Sequence, residues 1–531
     1  MQKKIVTISV FLILVTAFVL FGFPNARASD DIAMVSMFEP DEGIAVPIAQ
    51  RMISPKDDLK WFVAGFVFYG YYYYGFPFFA PSALVLAPLE WAEQIGNLPL
   101  VMLTLRQMIS VLPMLISILI LVKMQDGFRT YRSIILTLFL VLVPAVVRNG
   151  FWWHPDGLVL LLSTLVIYCL WKDDRRFGWR FLFAAALCGL LAATKIVGVY
   201  FFLAVGMTLV WGLVEKKLTW KKAIWISLLF IAIMAASFFI SNPFLFSPGT
   251  RQKYFEIVKL QSDLLSGGYE IRYDKGLLAS WPTMHEFYGE AVFLLAAIGV
   301  TIWGIIKSDR RFLHALTLAW FIPLTFTLLT FSHFKFQYWL PVAIPLFSNI
   351  AWVLPEKWKD IKWSRSQWAI RVLLLVIFGG QLVLFGAQSI RMGYDQYFRK
   401  ENHPSIVFYE QAMEVLAPVV PQAMHVYYDY RLYLPETEGW YKETLFEMLS
   451  YPYIEEGNYQ VLVLLEQRIR DYLNPNAVGN DPEQFALSQA FYRDADAGTI
   501  EGYHLLYRDQ TGLIYVQDGT CQAYFEPAQC Q

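Results

Sequence analysis

Five clusters of lysine and arginine interrupt a chain otherwise dominated by apolar runs, and no other feature constrains the fold as strongly. They are Lys123, Arg129 and Arg132; Lys172, Arg175, Arg176 and Arg180; Lys216, Lys217, Lys221 and Lys222; Lys307, Arg310 and Arg311; and Lys357, Lys359, Lys362 and Arg365. The loops that alternate with them are neutral or less basic. Basic loops stay on the cytoplasmic side of a membrane, so the clusters predict an alternating topology. Charged residues make up 16% of the sequence and hydrophobic ones 56%, against about 25% charged in soluble domains. The chain therefore reads as a polytopic α-helical membrane protein. Its net charge of -1 excludes a nucleic-acid binder driven by bulk electrostatics.

Lys3 and Lys4 precede an apolar run over 5–23, long enough to cross a bilayer with its N-terminus in the cytoplasm. Ala26-Arg27-Ala28 resembles a signal-peptidase site, yet the run is long for a signal core, which favours a retained first helix. In the following loop Ile44, Ile48 and Met52, with Ala45, Ala49 and Ile53 beside them, form an apolar stripe on a predicted interfacial helix. Residues 61–91 contain Tyr71-Tyr72-Tyr73-Tyr74 and three prolines. Counted as one span they would invert every later loop, so they are expected to be a re-entrant or interfacial helix pair, or two short spans. Further spans are expected at 100–122, 133–147, 157–171, 181–193, 197–214, 223–240, 287–306, 312–331, 338–353 and 368–388, giving about eleven with the first helix. This sets a transmembrane domain over 1–390, with its first extracytoplasmic loop over 24–98. Residues 391–531 are charged and turn-rich. Helical periodicity over 441–449 and strand-like runs at 459–465 and 512–517 predict a soluble, extracytoplasmic α/β or α+β domain. Cys169 and Cys188 lie in apolar runs as core residues. Cys521 and Cys530 are placed to pair if that domain lies outside the cytoplasm.

This topology gathers short polar segments on one outer face. They carry the carboxylates Asp41, Glu42 and Asp156 and the cations Arg148, Lys195 and Lys335, with Arg106 and Arg272 as further cations. Transfer of a sugar from a lipid phosphate needs such groups: a base for the acceptor hydroxyl and cations for the departing phosphate. Each residue also has a plainer reading. Asp41 and Glu42 suit the N-terminus of a helix, as Asp156 does before residue 157. Arg148 and Lys195 sit where snorkelling to headgroups is common. Lys335 suits an aromatic belt, and Arg106 is costly inside an apolar run unless it meets a cavity or an anion.

Taken together, the motifs resemble the GT-C fold glycosyltransferases, most of all the protein O-mannosyltransferase and lipid A aminoarabinose transferase group. The resemblance begins at Asp41-Glu42 leading into Ala49-Gln50-Arg51-Met52 and continues through Leu98-Pro99 and Leu105-Arg106-Gln107. It then takes in Arg148 with His154-Pro155-Asp156-Gly157, Ala193-Thr194-Lys195 and Lys335-Phe336-Gln337-Tyr338-Trp339-Leu340-Pro341. It covers residues 1 to about 350. Two departures stand out. Tyr74-Gly75-Phe76-Pro77-Phe78-Phe79 replaces an element that usually carries a cation, and Gln337 stands where a basic residue is common.

The resemblance implies a multi-pass plasma-membrane enzyme with a polyprenyl-phosphate-linked monosaccharide as donor. It implies inverting transfer on the extracytoplasmic face to an acceptor it does not name. It makes Asp41 the base, with Glu42 close by. His154, Asp156, Arg106, Arg148, Lys195, Lys335 and Tyr338 become substrate-binding candidates. Some of that group use a divalent metal and others do not, so no cofactor is fixed. Two other classes compete. A transporter or flippase of a lipid-linked or polar solute would want mid-membrane charges and repeat symmetry, and only Arg106 fits. A non-catalytic assembly subunit would tolerate loss of Asp41, Asp156 and Lys335. Single cysteines introduced beside Glu42, Asp156, Lys335 and Ser450 are expected to react with a membrane-impermeant thiol reagent added outside intact cells. Labelling of any of them only after permeabilisation contradicts the topology.

Overall fold

The computed structural model describes residues 2–272, 274–354, 365–445 and 449–530. Lys357, Lys359 and Lys362 of the fifth basic cluster lie outside them. The chain forms two compact units: Met1–Ala26, Pro47–Leu260 and Lys275–Gln396 make the first, and Arg27–Val46, Gln261–Asp274 and Tyr397–Gln531 the second.

The first unit is helical. Six helices among the described residues are long and apolar enough to cross a membrane: Gln2–Asn25, Leu98–Gln125, Ile196–Val214, Trp220–Ser241, Arg311–Leu328 and Ala369–Tyr397. Two bent pairs raise the number to as many as 8. The remaining expected spans are helical too, as Asp156–Asp173, Trp179–Thr194 and Phe336–Ser348. The first of these carries Asp156, Lys172 and Asp173 at its ends, and the other two are short.

Lipid is the solvent these surfaces require. The helix Trp220–Ser241 buries only Ala223, Ile226 and Phe230 and leaves Ile224, Trp225, Leu228 and Ile231 exposed. An apolar face of that length would aggregate in water. The first helix instead buries Val6, Val10, Leu14, Ala17 and Phe21, a stripe at helical spacing, and its Asn25 side chain donates to the Gly150 carbonyl at 2.8 Å.

Two expected spans are broken. Residues 133–147 divide into Arg132–Val141 and Pro144–Gly150, bent by 58°, because the residue before a proline avoids helical ψ and Val143 is extended. Residues 287–306 are interrupted at Gly289, where Leu277–Tyr288 and Ala291–Lys307 meet at 84°. Residues 61–91 form two helices, Leu59–Val67 and Phe76–Trp91, with the tyrosine run in their connection. The stripe expected to lie in the interface is instead packed against protein. Of the stripe on the helix Pro40–Ile53, Ala45, Ile48, Ala49, Met52 and Ile53 are buried and Ile44 is exposed.

The second unit is built on a five-stranded mixed sheet. Its strands are β1 (Met424–Tyr428), β2 (Trp440–Glu443), β3 (Val461–Leu465), β4 (Tyr503–Arg508) and β5 (Gly512–Gln517), in the order β2-β1-β3-β5-β4. β1 pairs in parallel with β2 and β3, while β5 runs antiparallel to β3 and β4. Alternation along β3 sends Val461 and Val463 to one buried cluster and Leu462 and Leu464 to the other, so helices cover both faces. Helix does not form at the start of 441–449. Tyr441 pairs with His425 in the parallel ladder, and tertiary pairing outweighs a short helical periodicity. Residues 446–448 lie outside the described part. Cys521 and Cys530 form a disulfide, and Cys169 and Cys188 are buried thiols.

A buried ionic network ties residues 268–272 to this sheet. Arg468 donates to Asp429 at 2.8 Å and to Glu270 at 2.9 Å, and Tyr472 donates to Glu270 at 2.6 Å. Burial raises the Glu270 carboxyl above its ordinary value, and the Arg468 guanidinium opposes that shift. Removing one partner strands the other charges away from water. Arg468→Met is therefore expected to destabilise the full-length protein by about 3–5 kcal/mol. Arg470→Met, whose exposed guanidinium meets a Glu466 that Arg508 also pairs with, is expected to cost less, about 1 kcal/mol. Thermal unfolding of both variants in detergent checks the difference.

Candidate active site

The site of the first unit begins with an irregularity in a helix. The span Leu98–Gln125 carries a π-helical turn, Arg106–Val111, just before Pro113, which has no N–H to continue an α-helical ladder. Ser110 on that turn donates through Oγ to the Trp152 carbonyl at 2.6 Å and accepts the His154 N–H at 3.3 Å. These bonds hold the irregular segment 151–155 ahead of the helix Asp156–Asp173. Gly157 makes the approach possible, since a Cβ there would stand 2.6 Å from the Ser110 carbonyl oxygen. Asp156 lies in the first turn of that helix and Pro155 takes the N-cap position, so the carboxylate is not consumed in capping.

That carboxylate is the centre of the site. Lys195 Nζ lies 2.9 Å from Asp156 Oδ1 and 3.1 Å from Oδ2, and His154 Nδ1 meets the same carboxylate. Asp156 is 1% exposed and the Lys195 side chain 14%. A buried carboxylate survives only if its oxygens are fully satisfied, and here two donors share it. The other imidazole nitrogen, His154 Nε2, is 2.9 Å from the Tyr74 hydroxyl, and the Trp152 ring stacks on the imidazole at 4.0 Å.

Lys195 reaches inward because the helix Trp179–Thr194 stops there and the backbone turns extended before the 3₁₀ turn Ile196–Phe201. Its ammonium lies 3.7 Å from the Tyr338 ring centroid, and that of Lys335 lies 5.9 Å from the same ring. Tyr74, Lys335 and Tyr338 are half-buried, so the cluster is closed at Asp156 and opens toward the two lysines.

Tyr74-Gly75-Phe76, the element without the usual cation, packs against the Thr194-Lys195 turn. A Cβ on Gly75 would stand 1.6 Å from the Ala193 carbonyl oxygen. Asn242 fastens the junction by accepting the Phe76 N–H at 2.9 Å and donating to the Ala193 carbonyl. The tyrosine run is thus divided: Tyr72 is a buried packing residue against Tyr69, while Tyr74 faces His154.

Of the residues singled out in the sequence, Asp156, His154, Lys195 and Tyr338 come together, with Lys335 beside them. Arg106 is fully buried and donates to the Asn25 carbonyl at 3.2 Å, at the C-terminal end of the first helix, where a cation is favourable. Arg148 occupies the last turn of Pro144–Gly150, an equivalent position. Asp41 and Glu42 belong to the second unit. They lie in the first turn of Pro40–Ile53, with Glu42 fully buried and Asp41 half-buried. Among the described residues no three His, Cys, Asp or Glu side chains converge as a metal site would need. Sequence reasoning missed Tyr74, Trp152 and Ser110 as members of the cluster.

No protein-family model matches the sequence, and no curated protein matches it. Solved structures do. The crystal structure of ArnT from Cupriavidus metallidurans in the apo state aligns with a TM-score of 0.51 at 11% identity, covering 97% of this chain and 99% of that one. The chain has the ArnT fold. ArnT bound to undecaprenyl phosphate aligns with a TM-score of 0.47 at 12% identity, covering 95% and 97%. The likeness in fold to the apo ArnT structure extends along nearly the whole chain.

Because the Asp156–Lys195 pair is buried, Lys195→Met is expected to lower stability by about 3–5 kcal/mol. The double variant Asp156→Asn with Lys195→Met is expected to recover a measurable part of that loss, which melting curves of the purified protein will show. A loss in the double variant equal to the sum of the losses in Asp156→Asn and Lys195→Met alone would mean that the two side chains are not coupled.

Proposed function

We propose that this protein is a membrane glycosyltransferase that moves a monosaccharide from a polyprenyl-phosphate donor to an acceptor hydroxyl, with inversion, on the extracytoplasmic face. The observation that carries the proposal is the cluster of Asp156, Lys195, His154 and Tyr338 with Lys335. It is a cationic, aromatic-lined site with an anchored carboxylate, set in a helical unit whose outer surface needs lipid. The ArnT fold supports the same reading.

In the proposed reaction the acceptor oxygen attacks the anomeric carbon from the side opposite the phosphate. The new C–O bond forms as the bond from the anomeric carbon to the phosphate oxygen breaks, and the electron pair departs with the polyprenyl phosphate. Lys335 and Lys195 face the growing negative charge, and Tyr338 holds the two ammonium groups near one ring. Asp156 orients Lys195, and His154 ties the Tyr74 hydroxyl to the same carboxylate. The acceptor proton passes to Asp41, with Glu42 as the neighbouring carboxylate. That assignment rests on the resemblance of residues 41–52 to the opening of GT-C enzymes and on the helix start that fixes both side chains. The sugar is a hexose or pentose, and the acceptor is a hydroxyl of a protein, lipid or glycan.

Two observations support the extracytoplasmic orientation. The basic clusters assign the opposite loops to the cytoplasm, and the Cys521–Cys530 disulfide suits an oxidising compartment. Membranes supplied with labelled polyprenyl-phosphate sugars and candidate acceptors are expected to form glycosylated product. Asp41→Asn should reduce the rate about 10²-fold or more. Equal transfer by wild type and Asp41→Asn removes Asp41 from the mechanism. Solute counterflow in vesicles without any covalent product contradicts the proposal as a whole.

A further inference from the structure

A cavity of about 320 Å³ opens within the second unit, at a place the sheet topology singles out. The chain leaves β1 for β2 on one side and returns to β3 on the other, so β1 and β3 flank a topological switch point. Crevices at the carboxyl ends of parallel strands at such points are where open α/β sheets hold ligands. Arg431 follows the end of β1, and Leu465 and Gln467 lie at the end of β3. Thr511 precedes β5, whose Gly512 pairs with Leu465, and lines the same end. Ser405 also lines the cavity, and its Oγ accepts the Tyr433 N–H at 2.6 Å.

The lining has one sign of charge. Among the described residues that line it, Arg431 and His403 are ionisable and none is a carboxylate. The Arg399 guanidinium lies 4.3 Å from the centroid of the Phe38 ring, and His403 packs edge-on to that ring at 5.1 Å. His403 Nδ1 accepts the Ser405 N–H at 3.2 Å, which leaves Nε2 as the donor. Burial, then Arg399 and Arg431, hold His403 below the ordinary imidazole value, a sign of positive surroundings. Asp471 accepts one N–H of the lining Gln467 side chain at 2.8 Å, leaving the other for a ligand, and the remaining nearby acids are engaged elsewhere. Asp31 accepts from Tyr433 Oη at 2.6 Å, Asp429 from Arg468 at 2.8 Å, and Asp509 from the Thr511 and Gly512 N–H groups at 2.7 and 3.0 Å. Arginine with hydroxyl and amide donors suits a phosphate, and Met37 and Phe38 give the cavity an apolar wall.

We propose that this crevice at the carboxyl ends of β1 and β3 is a binding site for a phosphate-bearing group, separate from the residues assigned to sugar transfer. The full-length protein in phosphatidylcholine nanodiscs is titrated calorimetrically with glycerol 3-phosphate. Saturable binding is expected, weakened about tenfold by Arg431→Ala and also by Gln467→Ala, should the first variant fold poorly. Lys335→Met, which alters the proposed transfer site, is expected to leave this binding unchanged. Repeating the titration in phosphatidylglycerol nanodiscs identifies the source. Loss of binding there points to a lipid headgroup, and unchanged binding points to a soluble phosphate ester. Absence of saturable binding in phosphatidylcholine, or binding indifferent to both Arg431→Ala and Gln467→Ala, overturns the proposal whatever the transfer assay shows.

Discussion

The buried carboxylate of Asp156 is the constraint on which the first unit's polar site depends. It brings together segments far apart in sequence: the loop at 151–155, the turn at 194–195 and, through His154 and Lys195, Tyr74 and Tyr338. A carboxylate this deep is unfavourable unless its oxygens are met by donors of opposite charge. The same contacts that satisfy it therefore also position the lysine and the imidazole. Lys195 gains a fixed direction that a snorkelling lysine would lack, and an ammonium already aligned loses less freedom when an anion arrives. Around the carboxylate the backbone is shaped to let these segments meet. The π-turn supplies Ser110, and Gly157 and Gly75 occupy contacts too close for any side chain.

The second unit solves a related problem with different means. Its sheet is buried on both faces by apolar alternation, and its ionic network gathers where residues 268–272 meet the sheet. There Arg468 serves two carboxylates, one of which comes from a segment some 200 residues earlier in the chain. In both units a buried cation with its carboxylate fixes the register of a loop that apolar packing alone would leave less specific.

Much of this was legible in the sequence, and for identifiable reasons. Apolar runs marked the long helices of the first unit, because lipid exposure leaves little choice of residue, while the helices Pro248–Gly267 and Leu277–Tyr288, within a stretch read as an outer segment, were not read. The strand β5 coincides with the run read at 512–517, where alternating burial and flanking turn residues agree. Asp156 and Lys195 stood out as charges beside apolar runs, and Tyr338 came with the motif at 335–341; the structure brings the three side chains together. Contacts across long sequence separations were not legible. Nothing local to Tyr74 announces a histidine eighty positions away, and Trp152 reads as one more interfacial aromatic. Tyr441 was misread because four residues of β2 are specified by the neighbouring strand rather than by their own pattern. The bend at 142–143 was signalled by Pro144, which a count of apolar residues ignores.

The central claim is that the lysine and tyrosine cluster beside Asp156 receives a lipid phosphate. A cryo-electron microscopy structure of the protein in nanodiscs, prepared with and without a polyprenyl phosphate, tests it most directly. The account predicts additional density for a phosphate within hydrogen-bond reach of Lys195 or Lys335 and beside Tyr338 in the lipid-containing sample alone. Clear density for the polyprenyl phosphate elsewhere, with the cluster unchanged between the two samples, would contradict it.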